Sequence, residues 1–130
     1  VSIFSAMTTP LALVFYEHLL PGSQLVNRLQ DLGYRVQTVA EAGALVAQAE
    51  LARPLVVVAD LASAKADVCA VIRQLRQNLA TQHIPVLAFT DKRKKKLQTA
   101  ARDAGATMVA VDDAILRQLP QLLEQVLQVT

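Results

Sequence analysis

The chain holds a single cysteine, no tryptophan and only four glycines, and each shortage closes off a class of protein. Cys69 alone cannot form an intramolecular disulfide, so a stapled secreted scaffold is excluded and a reducing cytoplasm suits the chain. With neighbours Val68, Ala70 and Val71 it reads as a buried structural thiol rather than a nucleophile. No apolar run reaches the roughly 18–20 residues that span a bilayer. The start, Val1-Ser2-Ile3-Phe4, lacks the basic n-region and long h-region of a signal peptide. The glycines form no dinucleotide fingerprint and no phosphate-binding loop, and no Ser-His-Asp order or zinc-ligand spacing is present. Neither sign of charge dominates: 13 basic against 11 acidic residues give +2. Binding to nucleic acid through bulk charge has no support.

What remains is a globular composition, 53% apolar and 18% charged over 130 residues, which the length prior assigns to one domain. Residues 1–10 read as an N-terminal extension and 11–130 as the domain. Met7-Thr8-Thr9-Pro10 reads as an alternative start, leaving the first six residues as a disordered extension.

The centre of the pattern is Pro54-Leu55-Val56-Val57-Val58-Ala59-Asp60. Consecutive branched apolar residues predict a strand buried on both faces. The run ends in a carboxylate, where an open α/β sheet places its ligand crevice. Asp60 is either a site residue or a cap and turn residue of the next helix.

Around this strand the signals alternate. Residues 11–15 predict strand 1, ending at Tyr16-Glu17-His18. Pro21-Gly22-Ser23 opens a helix with Ser23 as N-cap, Leu25, Val26, Leu29 and Leu32 on its apolar face, and Gly33 as its stop. Residues 34–40 alternate as strand 2, exposed on one side. Residues 41–52 are an alanine-rich helix with Leu45, Val46, Ala49 and Leu51 apolar, ended by Arg53-Pro54. After a small-residue loop, Asp67 caps a third helix carrying Val68, Val71, Ile72 and Leu75. Residues 84–90 are a buried strand with Pro85 at its beginning. Residues 91–104 form a fourth helix with a weak apolar face of Leu97, Ala100, Ala101 and Ala104. Residues 107–111 are strand 5. Residues 114–129 form a Leu-rich helix that Pro120 kinks or restarts. Five strands alternating with five helices mean a parallel sheet covered on both faces with right-handed crossovers.

The order and spacing of Gly33-Tyr34-Arg35-Val36, Ile84-Pro85-Val86-Leu87-Ala88-Phe89-Thr90 and Ala104-Gly105-Ala106 resemble the receiver domain of bacterial response regulators. This is the CheY-like branch of the flavodoxin-like fold. The resemblance covers residues 11–128. It implies a three-layer (βα)5 sandwich with strand order 2-1-3-4-5, and a non-enzymatic signalling role in a two-component system. It also implies a phosphoacceptor Asp after strand 3, an acidic pair holding Mg²⁺ after strand 1, a hydroxyl ending strand 4, and a Lys and a switch aromatic in strand 5.

Matched by position, Asp60 is the phosphoacceptor equivalent and Thr90 the hydroxyl. Glu17 is a retained acid and Tyr16 a lost one. Asp112 stands where the lysine belongs, with Asp113 beside it, and Val109 stands at the switch aromatic. The loop after Asp60 reads Leu61-Ala62-Ser63-Ala64-Lys65 and lacks the family's Met-Pro and Gly. The resemblance therefore implies an acidic pocket of Glu17, Asp60 and Asp112 within a few ångströms. Like charges there raise one another's pKa or demand a cation, which disfavours a phosphoryl dianion. Glu17, Asp60 and the Ala62 carbonyl are left as oxygen ligands for a weak Mg²⁺ site, with no other cofactor implied. Val109 has no ring to swing. The pattern is that of a degenerate receiver, a pseudo-receiver, which binds a protein partner without a phosphorylation cycle.

The run Lys92-Arg93-Lys94-Lys95-Lys96 sits at the start of helix 4, where cations oppose the macrodipole. It is a solvated helix start, a contact for an acidic partner, or a contact for nucleic-acid phosphates. No interleaved aromatics favour the last. One of these cations is also placed to fold over the pocket in place of the missing lysine. The resemblance implies a kinase or effector domain as partner, and a homodimer through the helix 4–strand 5–helix 5 face; nothing implies a membrane partner. His18 reads as a pocket-rim residue and His83 as an exposed loop residue. A working phosphoacceptor at Asp60 is the second functional reading, and nucleic-acid contact through Lys92 to Lys96 the third.

Overall fold

The computed structural model describes residues 9–129. The first eight residues of the extension read over 1–10, with the alternative start at Met7, lie outside the described residues, as does Thr130. Five parallel strands form one sheet: β1 Leu11–Phe15, β2 Arg35–Val39, β3 Val56–Asp60, β4 Val86–Thr90 and β5 Met108–Val111. Their order is β2-β1-β3-β4-β5. The flavodoxin-like α/β fold with order 2-1-3-4-5 is thus the observed one.

The helices are α1 Leu19–Asp31, α2 Leu45–Ala52, α3 Val68–Gln77, α4 Lys95–Ala104, α5 Asp112–Arg117 and α6 Leu119–Val129. Successive strand residues point to opposite faces, and each face has its own core. Leu13, Val57, Ala59, Val86 and Ala88 pack with Leu45, Ile72, Leu75 and Ala101 on the side of α2, α3 and α4. Val14, Val56, Val58, Leu87 and Phe89 pack with Leu25, Leu29, Ile115, Leu119 and Val126 on the side of α1, α5 and α6. Every residue of β3 and β4 is buried.

Several boundaries differ from the sequence expectation. Helix α1 starts at Leu19 with His18 as N-cap, so Ser23 does not cap it. Pro21 falls in the first turn, where its missing N–H leaves no bond unmade. Residues 41–52 begin with a 3-10 turn, Ala42–Ala44, before α2. Leu51, one of the apolar residues of that helix, is 81% exposed. Asp67 caps α3 as expected, accepting from Ala70 N at 3.1 Å. Helix α4 starts only at Lys95, so Lys92, Arg93 and Lys94 lie in the preceding turn. Ala100 is exposed there, while Ala101 and Ala104 are buried. The last helical segment is two helices broken at Gln118, with Pro120 as the second residue of α6; the proline restarts the helix.

Arg76 ties the α4–β5 corner to α3. Its Nε donates to Gly105 O at 2.6 Å, one terminal nitrogen donates to Gln82 O at 2.7 Å, and the other donates to Thr107 Oγ1. Thr107 Oγ1 also accepts from Val86 N at 3.0 Å, at the entry to β4. Gly105 ends α4 at φ 110°, and a Cβ there would stand 2.6 Å from Arg76 Cγ. Two constraints therefore require glycine at this position, conformation and space. Arg76→Ala should cost about 2 kcal/mol in urea unfolding by freeing three acceptors and losing packing. Gly105→Ala should cost more than about 1 kcal/mol from its φ alone. In the Arg76→Ala background its penalty should shrink, because the clash is gone while the strain remains.

Candidate functional site

Parallel strands bring their carboxyl ends to one pole, and Glu17, Asp60, Thr90 and Asp112 meet there for that reason. Asp60 ends β3 and is only 4% exposed. Its Oδ1 accepts from Ala62 N at 2.9 Å, a short turn that carries the chain away from the sheet. Its Oδ2 lies 3.3 Å from His18 Nδ1. The His18 ring is 59% exposed and the Asp60 side chain 6%, so the imidazole covers the carboxylate from the solvent side. Asp60 is thus not the cap of α3, a role that Asp67 fills.

Tyr16 and Glu17, at the position of the acidic pair, are directed elsewhere by local packing. The Tyr16 ring packs against the α1-side core and occupies the space that a Cβ on Gly22 would need. Glycine at 22 is what allows that approach. Glu17 accepts from Ser63 Oγ and from Ala64 N, the latter at 3.4 Å. Ser63 Oγ in turn accepts from Lys65 N at 3.2 Å and Ala66 N at 3.1 Å. Glu17 therefore organises the β3–α3 loop.

A divalent ion at Glu17 and Asp60, which the resemblance implies, would have to draw on carboxylates already engaged by His18, Ser63 and backbone N–H groups. Among the described residues no three His, Cys, Asp or Glu side chains come together as ligands. The donor set does not fit such an ion as it stands.

Asp112 is the first residue of α5, and Asp113 follows it in the first turn. Burial, and then the charges of Asp60, Asp91 and Asp113, push the Asp112 carboxyl above its usual range, while His18 opposes this. Asp60 and Asp112 do share one field; Glu17 is not among the charges acting on Asp112. Opposite Asp112, across a shallow cleft lined also by Val111 and Asp113, stand Asp91, Lys92 and Arg93. Arg93 folds back on Asp91, with Nε–Oδ1 at 3.0 Å and a terminal nitrogen to Oδ2 at 2.8 Å. That guanidinium holds the Asp91 carboxyl well below the usual carboxylate range. Of the five cations, Arg93 is thus spent locally on Asp91. Lys92 shares the cleft wall, and Lys94, Lys95 and Lys96 are exposed.

Thr90 ends β4 and is 1% exposed, and its Oγ1 has no hydrogen-bond partner among the described residues. Val109 pairs with Ala88 in the β4–β5 ladder and packs, partly buried, on the α4-side core. Cys69 is buried, and burial raises its thiol pKa, as befits an inert structural cysteine. Sequence reasoning read His18 as rim only and did not find its pairing with Asp60; its place directly after Glu17 at the end of β1 was the available signal. Ser63 carried no signal, since its role depends on a contact 46 residues away.

No protein-family model matches the sequence, and no curated protein does. Solved structures match over nearly the whole chain. A putative response regulator from Chloroflexus aurantiacus superposes with a TM-score of 0.86 at 19% identity, covering 93% of this chain and 99% of that one. The receiver domain of the sensor histidine kinase PA1611 from Pseudomonas aeruginosa, which has a magnesium ion coordinated in its active-site cleft, gives 0.83 at 20%, covering 93% and 99%. The chemotaxis protein CheY4 of Vibrio cholerae gives 0.81 at 22%, covering 92% and 99%. At these identities the likeness establishes the fold: the chain is built as CheY-like receivers are.

The raised Asp112 pKa sets a sign for the pH dependence of stability. The folded state holds the Asp112 proton more tightly than the unfolded chain. This contribution is intact below the unfolded value, 3.8, and is lost as pH rises toward the folded value. Asp112→Asn should raise Tm at pH 7, because the uncharged amide escapes the burial and like-charge cost that disfavours the carboxylate. The gain should shrink as the pH is lowered below 4, as followed by thermal melts across pH.

Proposed function

We propose that this chain is a receiver-type signalling module, of the kind found in bacterial two-component systems, that acts by protein contact without a phosphorylation cycle. The observation that carries the reading is the state of Asp60, whose two oxygens are held by Ala62 N and His18. A phosphoryl group on Asp60 would add about two negative charges at neutral pH. It would displace His18 and face Asp112, whose charged form is already disfavoured by burial and by Asp60 itself. No lysine ends β5 to offset it. The relay from Thr90 lacks its second half, since Val109 has no ring to exchange places with a moving hydroxyl.

In this reading the module is non-enzymatic and needs no metal. Its partner is a signalling protein, a kinase or an effector domain. The contact face is made by α4, β5 and the α5–α6 segment, where Lys94, Lys95 and Lys96 present exposed positive charge to an acidic partner, with a second copy of the chain as the other occupant of that face.

The deciding experiment is treatment with BeF₃⁻ and Mg²⁺, followed by amide chemical-shift mapping and ¹⁹F detection of a bound species. No adduct at Asp60 and no shift at Thr90 or Val109 are expected. A stable adduct that Asp60→Asn abolishes would establish the working phosphoacceptor instead. Salt-sensitive retention on DNA or RNA, lost on Lys94, Lys95 and Lys96→Glu, would favour the nucleic-acid reading. The unpartnered Thr90 hydroxyl supplies an independent check. Thr90→Val should stabilise the fold by about 1 kcal/mol, because a buried hydroxyl without a partner carries an uncompensated desolvation cost. Partner binding should be unchanged, whereas a working relay would lose its switch.

A further inference from the structure

At the pole opposite Asp60, the amino ends of the strands frame an open groove. Its walls come from Pro10 before β1, Arg35 at the start of β2, Arg53 and Leu55 before β3, and His83 before β4. Leu127 of α6 closes one side. None of the described residues lining it carries a carboxylate. Arg35 donates through Nε to Thr9 O at 3.3 Å, and this holds one guanidinium at the groove edge. The side chains of Arg53 and His83 make no hydrogen bond or ion pair with the described residues. Leu55 is 44% exposed at the same place.

Arg53 is also the one described non-glycine residue with positive φ, at φ 49° and ψ 61°. It occupies the left-handed position that ends α2, where glycine is the residue of least cost. The arginine carries a backbone cost at this position, one that a glycine would not have.

We propose that this groove docks an acidic segment of a partner protein, with its carboxylates on Arg53, Arg35 and His83 and an apolar side chain on Leu55. Charge complementarity selects an anionic occupant. The groove's concavity favours an extended segment over a flat lipid surface, and the mixed apolar and cationic lining favours a peptide over a bare anion. Residues 1–8 of this chain contain no Asp or Glu and supply no such carboxylates. The surface is separate from the Asp60 pole, so it is independent of whether that pocket is phosphorylated.

The test uses the full chain, labelled with ¹⁵N, and an acetylated octapeptide of alternating Glu and Leu. Amide shifts at Arg35, Arg53, Leu55 and His83 are expected on titration. Arg53→Gly should weaken that binding at least five-fold while leaving Tm equal or higher, since glycine relieves the strain. Arg53→Lys should retain most of the affinity. A purely structural arginine would give the reverse pattern for glycine, with Tm lowered and binding unchanged. Shifts confined to Lys92, Lys94, Lys95 and Lys96, or none, overturn the proposal. So does equal displacement of the peptide by sodium phosphate, which marks a bare anion site, or stronger binding to phosphatidylglycerol vesicles than to the peptide, which marks a membrane surface.

Discussion

Everything at the functional pole follows from ending a strand that is buried on both faces with a carboxylate. β3 spends its length in apolar packing, so Asp60 emerges where solvent is already scarce. A charge in that position needs donors. Ala62 N and His18 provide them, and both come from the chain immediately after a strand end, β3 and β1 respectively. The β1–β3 pairing, Phe15 opposite Ala59, is what brings His18 within reach. The same pairing sets Glu17 over the β3–α3 loop, where Ser63 and Ala64 take it up. Both carboxylates are thus engaged by internal hydrogen bonds.

Acidic side chains gather at one pole: Glu17, Asp60, Asp91, Asp112 and Asp113 lie at the carboxyl ends of the strands, while the groove at the amino ends is lined by Arg35, Arg53 and His83 and by no carboxylate among the described residues. The lysines of the α4 approach sit beside the acidic pole without neutralising Asp112, because Arg93, the side chain with the geometry for a bidentate grip, is captured by its neighbour Asp91. Local pairing two residues apart needs little ordering, and so it takes Arg93 ahead of any reach across the cleft.

The sheet was legible because its information is local. Runs of branched residues, glycine stops at 33 and 105, and the Asp67 cap each act within a few residues, and strand order then follows from handedness and burial. The start of α4 was misread because the residues from Asp91 onward carry helix-forming lysines. In the structure Asp91 O and Oδ1 accept from Lys94 N and Arg93 N, making a turn that delays the helix to Lys95. The position matches set Asp60 and Thr90 at the ends of strands 3 and 4, Val109 within strand 5 and Asp112 directly after it, and those residues lie there. What the sequence did not disclose are lateral contacts: His18 on Asp60, Ser63 on Glu17, Arg76 on Thr107. Each joins loops or corners far apart in sequence, and no periodicity encodes them.

Thr90 ends β4, and Val109 stands on the neighbouring strand β5. A threonine hydroxyl buried without a partner is a standing cost, and valine would fill the same volume without it. In β5 the residue paired with Ala88 is Val109, packed on the α4-side core, which carries neither a ring nor a hydroxyl. On the proposed reading this pair does not make a switch. With both cores filled and the strands in register, the folded surface is, on that same reading, what the molecule offers a partner.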